Sequence, residues 1–470
     1  MAATVGASTQ RRVLTSRRSV ILGGAGALSG ALLATAVQCR PAGQPGGAPG
    51  TPSAGLSGRL QWQIRSGPTY KQLADWAIDE FKKKFPNVTI EASPDTTGDF
   101  SKTTATLVAG SGPDIIHGWG QLMVQYASKG VLANMNDFTK SLAKADTDDF
   151  VDQQWKGLVI PGTSFRYGVP TYVNMFVLYY NEDLFQRRGV PRPTADWDHT
   201  QYADAMRKLT FTEGDKKTFG GFARIDIFDR QYHVKAFGGH YVDPRDLTKT
   251  QLDQEAAQRA LEWQYDRLWK EQSWGPIADR NRPWEPKQQQ DGFAQGFLAS
   301  LEDGLHQMLN TYNKATGFIW NIMHIPKGPA KRDSLVTTDS WGMWRETKAR
   351  DATWEFMKFL ISKDFYEQQV RIEGLLPSRK SVLETYIRLM RERFTRLPNF
   401  NWNVITDGLT RMDYLSVDEV FQCQADAARV VGEGMTVVFV NGEKPPSHFR
   451  DIAPQINQAA GACGVKYPSA

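Results

Sequence analysis

The chain is poor in the residues that carry metal and redox chemistry, with three cysteines and seven histidines in 470 residues. No Cys-x-x-Cys pair occurs, and His233 and His240 lack a zinc-like spacing, so no metal site is expected. Gly-x-Ser-x-Gly and His-Glu-x-x-His are also absent, which removes the common signatures of serine hydrolases and zinc proteases. Gly24-Ala25-Gly26 superficially resembles a nucleotide-binding loop, but no strand precedes it and no βαβ unit surrounds it, so no cofactor is expected. Strong charge is missing too. The net charge is +5, and Arg11, Arg12, Arg17 and Arg18 all fall in the first 38 residues, where there is no acidic side chain. The remainder is nearly neutral, which implies neither nucleic acid nor a polyanionic substrate.

The apolar run ILGGAGALSGALLATAV is 17 residues long and rich in Gly and Ala, short for a permanent membrane span. A basic start, this run and small residues after it make residues 1–38 an export signal. Ser16-Arg17-Arg18-Ser19-Val20-Ile21-Leu22 looks like a twin-arginine signal. Ala36-Val37-Gln38-Cys39 is similar to the site at which bacterial lipoproteins are cleaved and acylated on cysteine, although Gln38 departs from the usual small residue. Residues 39–57, with RPAGQPGGAPGTPSAG, read as a flexible tether. Cys423 and Cys463 remain, and outside the cytoplasm they could form one disulfide.

From Arg59 onward strand and helix alternate. RLQWQIR is a strand. Tyr70, Leu73, Trp76, Ala77 and Phe81 then share a helical face, VTIEAS is β-branched, Phe100 to Val108 is helical, and DIIHGW is a third strand. Later come the strand MFVLYYN, a helix over Gln251 to Trp269, strands near Phe318 to Ile325 and Val336 to Trp344, and a helix from Ala352 to Ile361 that is apolar on nearly every side. Such alternation predicts an α/β fold with ligands beyond the carboxyl ends of its strands. Leu107 to Gly120, LVAGSGPDIIHGWG, ends a helix at Gly110 and Pro113 and then runs a buried strand into an aromatic between two glycines.

FKKKFPNVTI, AGSGPDII, YGVP with LYYNEDLFQRRGVPRPTADWDHTQYADAMRKL, VKAFGGHYVD, FAQGFLASLEDG and EFMKFLISKDFYEQQVRIEGLLPSRKSV occur in the order of landmarks of extracellular solute-binding proteins of ABC sugar importers, the relatives of maltose-binding protein. The resemblance spans Arg59 to about Lys380. It implies a periplasmic-binding-protein-like type II fold, two α/β lobes with the ligand in the cleft between them, closing by hinge motion. The expected division is 58–170 with 326–374 in one lobe and 171–325 with 375–470 in the other. Chain crossings are expected near Phe165 to Tyr172, Ile322 to Lys327 and Glu373 to Pro377. Implied partners are a small solute, ABC permease subunits and, through a lipid on Cys39, the membrane. The chain is expected to be monomeric, bacterial and extracytoplasmic.

Sugars present apolar faces and a fringe of hydroxyls, so their sites pair aromatic platforms with planar polar groups. Trp119 and Gln121 follow the third strand; Trp62 and Arg65 stand at the end of the first, a position similar to ligand contacts in relatives. Tyr172 and Asn174 lie just past a crossing, Asp303 and His306 in a segment where relatives present contacts, and Trp341 and Trp284 complete the candidate set. Each could instead serve packing, the commonest use of aromatics. A polyamine or a phosphate ester is the alternative solute. A secreted glycoside hydrolase or lyase is the alternative class, with Glu302-Asp303 or Asp226-Asp229 as the carboxylate pair.

Overall fold

The computed structural model describes residues 55–94, 100–223, 231–309, 312–410, 414–464 and 466–468. The twin-arginine segment, Cys39, nearly all of the tether and the Asp226-Asp229 pair lie outside the described residues.

The first sheet begins with β1 (Gly58–Ile64), α1 (Pro68–Lys84), β2 (Val88–Pro94), α2 (Phe100–Val108), β3 (Ile115–Gly118) and α3 (Gly120–Ser128). Pro68 opens α1, where its missing N–H costs nothing, and Lys82 to Lys84 complement the helix dipole at the far end. Leu73, Ala74, Ala77 and Phe81 form its buried face. Gly110 takes φ +80 just beyond α2, the left-handed turn that ends a helix. Asp114 then joins three segments: Oδ2 accepts from the Gln61 N–H at 2.8 Å, Oδ1 accepts from the Thr347 hydroxyl at 2.5 Å, and its backbone N–H donates to the Gln61 carbonyl at 2.8 Å. The Asp of GPDII therefore fixes the register of the sheet.

The chain crosses through β4 (Val169–Pro170) and β5 (Tyr172–Val173) into β6 (Phe176–Asn181), the central strand of a second sheet. Asn181 caps the following helix by accepting from the Leu184 N–H at 3.0 Å. Further on lie α4 (Gln231–Ala236), β7 (Ser300–Gly304) and β8 (Trp320–Met323), with the strand order β7-β6-β8. The return passes through β9 (Ser334–Leu335) to β10 (Ser340–Met343). This completes the first sheet in the order β2-β1-β3-β10-β4, with β10 antiparallel to β3. The helices α5 (Arg350–Leu360) and α6 (Lys363–Glu373) cover one face of it, and α3 covers the other.

The chain then passes beside β5 as β11 (Leu376–Pro377) and beside β9 as β12 (Leu415–Ser416). This second passage lies beyond the landmarks read from sequence. The last helices, α7 (Gln424–Met435) and α8 (His448–Gly461), pack into the apolar core that contains Leu178 and Tyr180 of β6. Cys423 and Cys463 are joined as a disulfide at the α7 and α8 ends. Two expected elements are shorter than predicted. The 251–269 helix is α-helical over Glu255–Tyr265 and continues as a π turn. The 336–344 strand is regular only at Ser340–Met343, because the residues before it form the crossing.

Candidate functional site

The carboxyl ends of β1 and β3 meet the start of β10 and the end of β4 at one edge of the first sheet. Arg65 follows β1 there. Its Nη1 donates to the Tyr172 hydroxyl at 2.5 Å, and its guanidinium lies 5.2 Å from the Tyr70 ring centre. Two buried carboxyl groups share this neighbourhood. Burial raises the pKa of Asp339, against the Thr337 hydroxyl and Arg65. Burial likewise pushes Glu373 up to about 8, against a hydrogen bond from Gln369 and the charge of Arg65. His117 is pushed well below its ordinary value, first by burial and then by Arg65, so it is neutral.

Trp62 and Trp341 complete this group edge to face, with ring centres 5.4 Å apart, and Trp62 also meets Phe356 of α5 at 5.1 Å. The space left among Trp62, Arg65, Tyr70, His117, Tyr172 and Glu373 is only 20 Å³, room for about one water. The group is a packed floor. Trp62 and Trp341, expected as ligand contacts, are packed into the core. Two residues beyond Tyr172, Asn174 Oδ1 lies 3.0 Å from His306 Nδ1 and also accepts the His306 N–H at 3.3 Å. Trp119 stands at the N-terminus of α3 and is 46% exposed, one of the three exposed large apolar side chains among the described residues.

The other candidates go elsewhere. Gln121 is fully buried: its Nε2 faces Asp418 at 3.5 Å and its Oε1 accepts from Gln424 Nε2 at 2.9 Å. Trp284 is buried in the second lobe, its indole N–H bonded to the Gln288 carbonyl at 2.7 Å and its ring over Gly292. Asp303 is buried on β7, accepting from Tyr312 at 2.6 Å and from Gln290 at 3.1 Å. These three are internal, each with its polar atoms met by protein. Glu302 projects to the other side of β7 and accepts from Tyr232 at 2.5 Å and meets His233 at 2.8 Å. The Glu302-Asp303 pair is thus split across a strand, as alternation requires, and cannot work on one bond.

Tyr70, His117, Asp339 and Glu373 belong to the floor but were not singled out from sequence. Only the glycine-flanked HGWG gave a signal near His117. A larger cavity of 670 Å³ is lined by Val124 of α3, Tyr167, Lys235, His240, Asp418 and Glu419 among others. Among the described residues no His, Cys, Asp or Glu group of three could hold a metal ion, and no helix is long and apolar enough to cross a membrane.

Two α/β lobes, joined by several short crossings with a polar and aromatic floor at the strand ends, define a two-lobed solute-binding protein of the type II periplasmic class. The profile of the bacterial extracellular solute-binding proteins matches residues 76–398, and the chain belongs to that family. A Brucella abortus protein described as a binding protein is 22% identical over 326 residues, covering 68% of this chain and 75% of that one. An ABC substrate-binding protein of Listeria monocytogenes, solved with cycloalternan, has a TM-score of 0.71 at 20% identity, covering 86% of this chain and 99% of that one. UgpB of Mycobacterium tuberculosis, solved with glycerophosphocholine, has a TM-score of 0.69 at 19% identity, covering 86% and 98%. The cyclic alpha-maltosyl-1,6-maltose binding protein of Arthrobacter globiformis has a TM-score of 0.66 at 17% identity, covering 86% and 99%. At these identities the likenesses establish the fold.

Proposed function

We propose that the chain is the substrate-binding component of an ABC importer for a mono- or oligosaccharide, exported through the twin-arginine route and tethered by a lipid on Cys39. The solute lies in the cleft above the Arg65 floor, between Trp119 and the Asn174-His306 pair. The observation that carries this reading is the exposed Trp119 at a strand end, two residues beyond His117 of a floor already closed by Trp62, Tyr172 and Trp341. An exposed indole offers a face to sugar C–H groups, while amide and imidazole offer the matching hydrogen bonds. Binding shifts an open and closed equilibrium, and no bond need be broken.

A phosphate ester is the second reading, and the likeness to UgpB motivates it. Arg65 is the cation at the floor, but its Nη1 already donates to the Tyr172 hydroxyl and its guanidinium lies against the Tyr70 ring. It is therefore engaged within the floor, which favours a neutral polyhydroxyl solute. Titration calorimetry and thermal shift against sugars, glycerophosphodiesters and polyamines test the assignment. A raised melting temperature with sugars alone and no product supports it, following RT ln(1 + [L]/Kd). Release of reducing ends, or a response only to phosphodiesters or polyamines, overturns it.

A further inference from the structure

The C-terminal segment belongs to the lobe of the second sheet by packing, since Phe421, Val431, Phe449 and Ile456 share the core of β6. Yet it reaches the other lobe at three separate places. Gln424 Nε2 donates to Gln121 Oε1 at 2.9 Å on α3, and Asp418 faces Gln121 Nε2 at 3.5 Å. Lys129, just past α3, pairs with Asp426 at 3.5 Å. Beyond α8, the Tyr467 ring meets Phe165 at 5.3 Å between centres, and the Pro468 carbonyl accepts from the Ser164 N–H at 2.9 Å. Glu419, next to Asp418, holds the same segment to the second lobe by accepting the Tyr241 and Val242 N–H groups at 2.6 and 3.1 Å. The Cys423–Cys463 bridge joins the points from which the α7 and tail arms leave.

We infer that Gln121, Gln424 and Tyr467 are positioning residues for solute capture. They form a disulfide-braced strap that keeps the two lobes on one hinge path without touching the solute. This rests on the solute-binding reading given above. An empty protein with fewer accessible arrangements loses less conformational freedom on closing, so the strap tightens binding. The Gln121 amide is fully buried and bonded only across the strap among the described residues, which explains its position better than contact with a ligand would.

The test compares the full chain with Tyr467→Ala, Gln121→Leu, a chain ending after Gly464, and the Cys423→Ala/Cys463→Ala pair. Each is measured by small-angle scattering without ligand and by titration with the sugar that stabilises the wild type. The expected result is a broader, more open scattering profile in the empty variants and a Kd raised about three- to tenfold, with the profile of the saturated complex unchanged. Tyr467→Ala and the truncation should leave the melting temperature of the empty protein within the wild-type range. Unchanged empty-state scattering, or unchanged or tighter binding in folded variants, overturns the inference. If no sugar binds the wild type, the solute reading has failed, and the empty-state scattering still decides the strap.

Discussion

His306 and Asn174 are joined twice through one oxygen: Asn174 Oδ1 takes the His306 backbone N–H at 3.3 Å and faces its Nδ1 at 3.0 Å. The Asn174 amide also lies against Gly304, where a Cβ would come within 2.2 Å of that oxygen. The imidazole is thereby fixed by a residue at the crossing between lobes. Asn174→Ala should release it, and His306→Ala should remove it. Each change is expected to weaken solute binding by about tenfold, the cost of about one lost hydrogen bond to an oriented group. Titration calorimetry checks this. An affinity equal to wild type in both variants would place the solute elsewhere, the 670 Å³ cavity beside Asp418 being the alternative seat.

Trp119 is expected to separate binding from stability. Its ring is nearly half exposed, so Trp119→Ala forfeits less burial than the same change at a core tryptophan such as Trp284. The melting temperature of the empty protein should stay close to wild type while affinity for sugar falls about three- to tenfold, the range for loss of an aromatic contact. A marked drop in melting temperature without ligand would return Trp119 to the core.

Trp284 should behave in the opposite way. Its indole is buried over Gly292 and bonded to Gln288, so Trp284→Ala leaves a cavity costing about 3–5 kcal/mol. Urea unfolding should show that loss, while the protein that remains folded binds solute with near wild-type affinity. Loss of binding at unchanged stability would restore Trp284 to the site.

Glu373 gives the protein an alkaline weakness. Its carboxyl rises from 4.5 to about 8 on folding, mainly through burial, so the folded state holds a proton that the unfolded chain releases near 4.5. The resulting stability is complete below about pH 4.5 and is lost as pH rises through about 8. Glu373→Gln keeps a neutral group in place. The melting temperature of wild type should fall relative to this variant between about pH 5 and about pH 8. Parallel curves for the two proteins would show that Glu373 is ionised in the fold.

Much of the first sheet was readable because its signals are local. Alternation gave β1 to β3, Gly110 ended α2, and the Asp of GPDII marked a strand start that the structure ties to Gln61 and Thr347. The fate of Gln121 was not readable, because the residues that bury it, Asp418 and Gln424, lie 297 and 303 positions away. Trp284 was not readable for a different reason: it stands in the polar stretch DRNRPWEPKQQQ, yet it fills a core completed by its near neighbours Phe297 and Gly292. Glu373 gave no signal at all, since a carboxyl is kept neutral by the three-dimensional loss of water around it.

Gly120 stands between the two kinds of residue. A Cβ there would lie 2.0 Å from Thr338 Oγ1 and 2.8 Å from Asp418 Oδ2, so no other side chain fits without moving the crossing or the strap. Trp119, one position earlier, is partly exposed. On the sugar-binding reading proposed above, a lineage of such proteins could therefore exchange the side chain at 119 and acquire a new taste in solutes by a single substitution, while position 120 stays closed to change and the lobes keep their alignment.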